Sequence, residues 1–115
     1  MKILELFSGT ECLSNAFRAR GHECFTVDWD TRFPSSLHID IRLHPTQKPV
    51  DLLRYLILTY SNEGDTILDA TIGSGTTAVA ALMEKRHFIG FETNKEYFDI
   101  AQGRIGQVLR NPTLF

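Results

Sequence analysis

The stretch DTILDATIGSGTTAVAALMEKRHFIGFET, residues 65–93, decides the fold of this chain. Residues 65–71 form an apolar, strand-like run, residues 73–86 pass from a glycine-rich loop into a helical pattern, and residues 87–93 are strand-like again. Two strands joined by a helix are predicted to be parallel, with a right-handed crossover. The glycine-rich loop is therefore expected at the carboxyl edge of the sheet.

The beginning of the chain repeats this arrangement. When the sequence is shifted by 64 positions, it aligns with itself without a gap. Each copy has an acid late in a strand, a glycine four residues later, and a second acid 19 residues after that glycine. The matched pairs are Glu5 with Asp69, Gly9 with Gly73, and Asp28 with Glu92. The repeat predicts one domain, residues 1–115, built from two βαβ halves that cover residues 1–43 and 44–115.

The remaining patterns complete an α/β fold. Helical spacing of apolar residues occurs in segments 10–21, 49–64 and 95–109, and the short run 37–41 alternates like a strand. Parallel strands require helices on both faces of their sheet. The sequence therefore predicts a Rossmann-like three-layer sandwich, with a mainly parallel sheet of about five strands and about four helices.

The spacing of glycines and acids indicates a ligand. Glycine allows the backbone to approach a ligand, and the amino end of the next helix offers free amide groups and a positive dipole end. An acid at the end of the neighbouring strand can accept hydrogen bonds from ribose hydroxyls. Each half is thus predicted to be a nucleoside-binding unit. Two alternatives stay open: a scaffold that binds nothing, and a dinucleotide-binding oxidoreductase, because Gly73 to Ala78 also satisfies G-x-G-x-x-A.

Composition limits the partners and the compartment. The net charge is −2 and no basic block occurs, so strong nucleic-acid binding by this chain alone is not expected. The two cysteines, Cys12 and Cys24, form no metal-binding pattern, which favours thiols in a reducing cytosol and no metal site. No apolar run is long enough for a membrane span, so we expect a cytoplasmic protein. A sheet with two open edges favours a homodimer through edge pairing or strand exchange.

Specific motifs in the second half resemble a known family. The chain contains HPTQKP at 44–49, DATIGSGTT at 69–77 and GFE at 90–92. In this order, residues 44–106 resemble the carboxy-terminal part of DNA methyltransferases that modify the amino group of adenine (N6) or cytosine (N4), although Ala70 and Thr71 replace the usual Pro-Phe. The resemblance implies S-adenosylmethionine as the cofactor, held by Thr46, Lys48, Asp69, Gly73, Gly75, Thr76 and Glu92.

The first half resembles a different branch. Residues 1–41 are similar to the start of DNA methyltransferases that modify carbon 5 of cytosine, which implies a second set of cofactor-binding residues that we rank behind the first: Phe7, Gly9, Asp28, Trp29 and Asp40. Glu11 stands where that branch has its second glycine, and its charge is expected near the carboxylate of the ligand. The two resemblances meet near Arg42 and Leu43. They imply a chimera of two methyltransferases, either engineered or recombined.

The motifs for chemistry are not found in these 115 residues. The resemblance implies that a carbon-5 enzyme needs a Pro-Cys nucleophile loop and an amino-group enzyme a loop such as Asp-Pro-Pro-Tyr. None of the four prolines precedes a cysteine or another proline. We therefore assign no catalytic residue, and expect an S-adenosylmethionine-binding core without its catalytic and target-recognition segments, inactive alone and with weak or lost binding.

Overall fold

The structure is a computed structural model, and it describes residues 1–7, 9, 11–28, 32, 35–38 and 49–111. Strands and helices alternate among the described elements, except that the second strand is followed by the third. In chain order they are β1 (Lys2–Leu6), α1 (Cys12–Arg18), β2 (Glu23–Asp28), β3 (Leu37–His38), α2 (Pro49–Tyr60), β4 (Thr66–Asp69), α3 (Thr76–Met83), β5 (His87–Gly90) and α4 (Lys95–Arg110).

The five strands form one parallel sheet in the order β3-β2-β1-β4-β5. The first strand of each predicted half, β1 or β4, lies at the centre, and the two are paired directly, with Leu4 opposite Ile67. The predicted mainly parallel sheet is therefore confirmed. Of the predicted third strand, residues 37–41, Leu37 and His38 pair with β2 in parallel, and residues 39–41 lie outside the described part.

Helices on the two faces follow from the direction of each crossover. Helix α1 leads from β1 to β2, towards one edge of the sheet, whereas α2 and α3 lead towards the other edge. Right-handed connections therefore place α1 on one face, and α2 and α3 on the opposite face. Helix α3 packs against both α2 and α4. The result is the predicted α/β architecture of helix, sheet and helix layers.

The main core lies between the sheet and α2. In the sequence of α2, Leu53, Leu56 and Ile57 recur at helical spacing and are buried, whereas Tyr55 and Leu58 are exposed. Burying one such side chain stabilises the fold by roughly 1.5–3 kcal/mol. The cluster draws on both predicted halves and consists of Leu4, Leu6, Val27, Leu53, Leu56, Ile57, Ile67, Ala80 and Ala81.

Among the described residues, no helix combines the length and the apolar composition that crossing a membrane requires.

Candidate cofactor-binding site

The two glycine-bearing loops lie side by side at one edge of the sheet. Gly9 follows β1 and Gly73 follows β4, and these strands are adjacent and parallel. The backbone of the two loops is also alike, because Gly9 has φ 55° and Gly73 has φ 58°. The prediction that both loops lie at the carboxyl edge is confirmed.

In both copies the loop glycine is bonded to the second acid. The amide of Gly9 donates to Oδ2 of Asp28 at 2.8 Å, and the amide of Gly73 donates to Oε1 of Glu92 at 2.9 Å. The other oxygen of Glu92 accepts from the amide of Asn94 at 2.9 Å. Since a carboxylate oxygen can accept two hydrogen bonds, Glu92 is fixed in place and still has acceptor capacity for a ligand hydroxyl.

The first acid of the second copy lies beneath its loop. Asp69 is buried, and its two oxygens accept from the hydroxyl of Thr77 at 2.6 Å and from the amide of Thr71 at 3.0 Å. Burial raises the pKa of the Asp69 carboxyl, while these two hydrogen bonds lower it. Asp69 therefore connects the start of the loop, through Thr71, to the first turn of α3, through Thr77.

The first copy has a comparable hydrogen bond to its buried first acid. The hydroxyl of Ser14 in α1 donates to Oε1 of Glu5 at 2.6 Å, in a buried position. Burial raises the pKa of Glu5, and the bond from Ser14 acts in the opposite direction. A buried acid bonded to a helix hydroxyl is thus a shared feature of the two halves.

Gly73 and Gly75 face different surroundings. A methyl group added to Gly73 would meet no atom of the described residues within 4 Å, whereas one added to Gly75 would lie 2.9 Å from Cβ of Ala101 in α4. Gly75 also has φ 90°, a left-handed conformation that favours glycine. Gly73 therefore leaves open space for a ligand, while Gly75 allows α4 to pack closely against the start of α3.

Glu11 occupies the position that corresponds to Gly75 and has the same left-handed backbone, with φ 60°. We expected its charge to oppose a ligand carboxylate. In the structure its Oε2 accepts from Arg18 at 3.2 Å, and its Oε1 accepts from the hydroxyl of Thr26. The charge of Glu11 is therefore engaged by neighbours within the protein, so its repulsion of a ligand is smaller than the sequence suggested.

Arg104 contacts the second loop and was missed by sequence reasoning. Its Nη1 donates to the carbonyl oxygen of Ser74 at 3.0 Å, to the hydroxyl of Ser74 at 3.1 Å and to the hydroxyl of Thr76 at 3.0 Å. A signal was present, because Arg104 lies three residues after the buried Ala101 and four before the buried Val108. That spacing places it on the inner side of α4.

The other predicted site residues are distributed as follows. Phe7 has φ 59° and is partly buried against the core, with its amide bonded to the carbonyl oxygen of Val27 at 2.7 Å. Four of them lie outside the described residues: Trp29, Asp40, Thr46 and Lys48. The described part thus brings together Gly73, Thr76 and Glu92, with Asp69 below them.

The family assignment comes from comparison with known proteins. A family model described as DNA methylase, of the N6_N4_Mtase type, matches residues 9–103. This chain belongs to the N6/N4 DNA methylase family. The match continues through residues 42 and 43 and includes both glycine-bearing loops.

Curated relatives support the same family. The Type II methyltransferase M2.DpnII of Streptococcus pneumoniae is 53% identical over 62 residues, which are 54% of this chain and 23% of the relative. The DNA adenine methyltransferase YhdJ of Escherichia coli (strain K12) is 43% identical over 77 residues, which are 67% of this chain and 26% of the relative. The chain therefore spans about a quarter of the length of these relatives.

Solved structures agree with the fold of this chain. The crystal structure of M1.HpyAVI gives a TM-score of 0.50 at 40% identity, over 50% of this chain and 33% of that chain. The structure of TTHA0409 from Thermus thermophilus, complexed with S-adenosyl-L-methionine, gives 0.52 at 31% identity, over 63% of this chain and 29% of that chain. The Rossmann-like methyltransferase fold is thus shared with proteins of known structure.

Proposed function

We propose that these 115 residues form the S-adenosylmethionine-binding part of an N6/N4 DNA methylase, and that the ligand binds at the second loop. The observation that carries the proposal is the bond between the Gly73 amide and Glu92, beside open space at Gly73. A nucleoside needs both features, since its ribose requires a fixed acceptor and its bulk requires a loop position without a side chain. The relative complexed with S-adenosyl-L-methionine adds support from outside the chain.

Each residue has a defined part in this proposal. Glu92 accepts the ribose hydroxyls, Gly73 allows close approach, and Thr76 begins α3, whose amino end favours a negatively charged ligand group. Thr46 and Lys48 are assigned to the same ligand through their place in HPTQKP. Their contribution remains a proposal, because they lie outside the described residues.

The proposal includes inactivity of this chain alone. Methyl transfer to a base requires groups that hold or attack that base, and the sequence has neither a Pro-Cys nor a Pro-Pro dipeptide. We therefore expect that purified chain, labelled S-adenosylmethionine and duplex DNA give no methyl transfer above background. Transfer that is lost after a single substitution in this chain would show that it contains a catalytic group.

The origin of the first half is also part of the proposal. We infer that residues 1–41 derive from a carbon-5 cytosine methyltransferase and were joined to an amino-group enzyme near Arg42. The support is the repeated geometry, in which the Gly9 bond to Asp28 parallels the Gly73 bond to Glu92. A duplicated binding unit is what the joining of two related folds would produce.

Calorimetric titration with S-adenosylhomocysteine, the demethylated form of the cofactor, tests which loop binds. We expect weak binding by the wild type, loss of binding in Glu92→Ala, and little change in Asp28→Ala, which is the matched variant of the first copy. NAD serves as the control ligand and is expected to give no heat of binding. Binding that needs Asp28 but not Glu92 would assign the site to the first loop, and binding of NAD alone would support the oxidoreductase alternative.

A further inference from the structure

We propose that Arg104 is a positioning residue, which holds the glycine-rich loop of residues 73–76 in the shape that receives the adenosine part of the ligand. This inference rests on the proposed function of the loop. The geometry points to it because Nη1 of Arg104, which shares its two N–H groups among them, lies within 3.1 Å of three acceptors on two loop residues. Among the described side chains outside the loop, Arg104 alone donates hydrogen bonds to Ser74 and Thr76.

The three bonds act on the segment between the two special glycines. The carbonyl oxygen of Ser74 is turned towards α4 by its bond to Arg104. The peptide plane between Ser74 and Gly75 is fixed by that bond, since a carbonyl and the following amide share one plane. The amide of Gly75 then donates to the carbonyl oxygen of Ile72 at 3.0 Å, which closes the turn.

The packing of α4 explains why this contact is stable. Ala101, one helical turn before Arg104, contacts the backbone of the loop so closely that Gly75 has no room for a side chain. The loop is therefore held from one side by a close helix contact and by a guanidinium. Its other side, at Gly73, is open.

The position of the charge is informative. A cation near the amino end of a helix is opposed by the helix dipole. Arg104 nevertheless lies at the amino end of α3, where it bonds to the hydroxyl of Thr76, the first residue of that helix. The contacts of the guanidinium with the loop therefore outweigh its unfavourable interaction with the dipole of α3. Ordering of the loop is the effect that these contacts have.

The experiment compares two ligands and three variants. S-adenosylhomocysteine and 5′-methylthioadenosine share the adenosine part, but the second has no amino-acid end. In Arg104→Gln we expect both affinities to fall by about the same factor, on the order of tenfold, because the loss of ordering acts on the shared part. Arg104→Lys, which keeps the charge and some donors, should recover part of both. Arg110→Gln, an exposed arginine of the same helix, should match the wild type.

A second measurement needs no ligand. Amide hydrogen exchange of Gly73 and Gly75 should become faster in Arg104→Gln, by about tenfold, while exchange of the Phe7 amide in the first copy stays unchanged. If the wild type binds neither ligand, the proposed function fails, and this exchange measurement still tests whether Arg104 holds the loop.

Three results would overturn the inference. One is a fall in affinity for S-adenosylhomocysteine alone, which would make Arg104 a charge partner of the amino-acid end. Another is an Arg104→Gln variant with lower unfolding free energy but unchanged ligand affinity and unchanged amide exchange of Gly73 and Gly75. That result would make Arg104 a structural residue only. The third is Arg110→Gln having the same effects as Arg104→Gln.

Discussion

Gly73 and Gly75 lie two residues apart in one loop and have different reasons to be glycine. Gly73 has open space around it and Gly75 is packed against Ala101. We expect Gly75→Ala to destabilise the fold by about 2–4 kcal/mol, because it combines a left-handed backbone with a steric clash. Gly73→Ala should cost about 1 kcal/mol, from the backbone alone. Urea unfolding of both variants measures the difference.

For ligand affinity, measured on folded protein, we expect the opposite order: Gly73→Ala should have the larger effect. Under conditions where both variants are folded, Gly73→Ala should weaken S-adenosylhomocysteine binding, because its methyl group enters the open space. Gly21→Ala, another left-handed glycine with open surroundings, is the control for the backbone term. Equal unfolding costs for Gly73→Ala and Gly75→Ala would contradict the packing argument.

The carboxyl of Asp69 gives a prediction about pH. Burial raises the pKa of Asp69 above its ordinary value of 3.8. The folded state therefore holds this proton to higher pH than the unfolded state, and the contribution of Asp69 to stability falls as pH rises between the two pKa values. Asparagine does not titrate. The unfolding free energy of Asp69→Asn relative to wild type should thus increase from about pH 4 to pH 7.

Urea unfolding at several pH values in this range measures that trend. Asp99→Asn is the control, since Asp99 is exposed on α4, where it pairs with Lys95. A difference between Asp69→Asn and wild type that stays constant with pH would show that Asp69 has no raised pKa in the folded protein.

Sequence reasoning at this scale found contacts that follow a regular spacing. The separation of 19 residues matched Gly9 with Asp28 and Gly73 with Glu92, and the structure adds that each glycine amide donates to its acid. It missed the partners of Glu11 and the role of Arg104. Those contacts depend on which long side chains meet across α1 and β2, or across α3 and α4, and spacing along one element does not contain that information.

At the scale of elements, Arg86 joins the end of α2 to the start of β5. It is buried, its Nη2 donates to the carbonyl oxygen of Ser61 at 2.8 Å, its Nε to the hydroxyl of Ser61 at 3.0 Å, and its Nη1 to the carbonyl oxygen of Glu84 at 2.6 Å. A cation also suits the carboxyl end of a helix. Arg86 therefore satisfies backbone groups that the end of α2 leaves without helical partners.

Arg86→Met keeps an unbranched apolar stem but removes these donors. We expect a loss of about 1–3 kcal/mol in unfolding free energy, because two partly buried carbonyl groups lose a charged donor. Arg20→Met, the same change at an exposed turn residue, should stay within about 0.5 kcal/mol of wild type. Thermal or urea unfolding measures both, and equal effects would argue against the anchoring role.

Element boundaries were predicted less well than element types. The helical pattern predicts that α2 ends just before Gly64, whereas it ends at Tyr60. Beyond Tyr60, Arg86 donates to the carbonyl oxygen of Ser61, and the carboxyl of Asp65 accepts from the amide of Asn62 at 2.9 Å. The helix is thus ended by tertiary and turn contacts, which apolar periodicity does not register.

At the scale of the whole molecule, the two halves share one sheet and one core. The order β3-β2-β1-β4-β5 places the seam between the halves at the central pair β1 and β4, and the core cluster includes Leu4 and Leu6 from one half and Ile57 and Ile67 from the other. The repeat made the parallel sheet predictable from sequence. It did not specify that the halves would pair through their first strands, and a homodimer through the outer edges stays a prediction.

A shared core predicts that the chain unfolds as one cooperative unit. Trp29 is the only tryptophan and lies in the first half, so its fluorescence follows the unfolding of that half. Far-ultraviolet circular dichroism is dominated by α2, α3 and α4, so it follows the unfolding of the second half. Both probes should give the same urea midpoint, and the calorimetric and van't Hoff enthalpies should agree. Ile67→Val, a small cavity in β4, should lower both midpoints together and cost about 0.5–1.5 kcal/mol. A fluorescence midpoint that stays fixed while the dichroism midpoint falls would show two independent folding units, because a cavity in one unit does not destabilise another that has its own core.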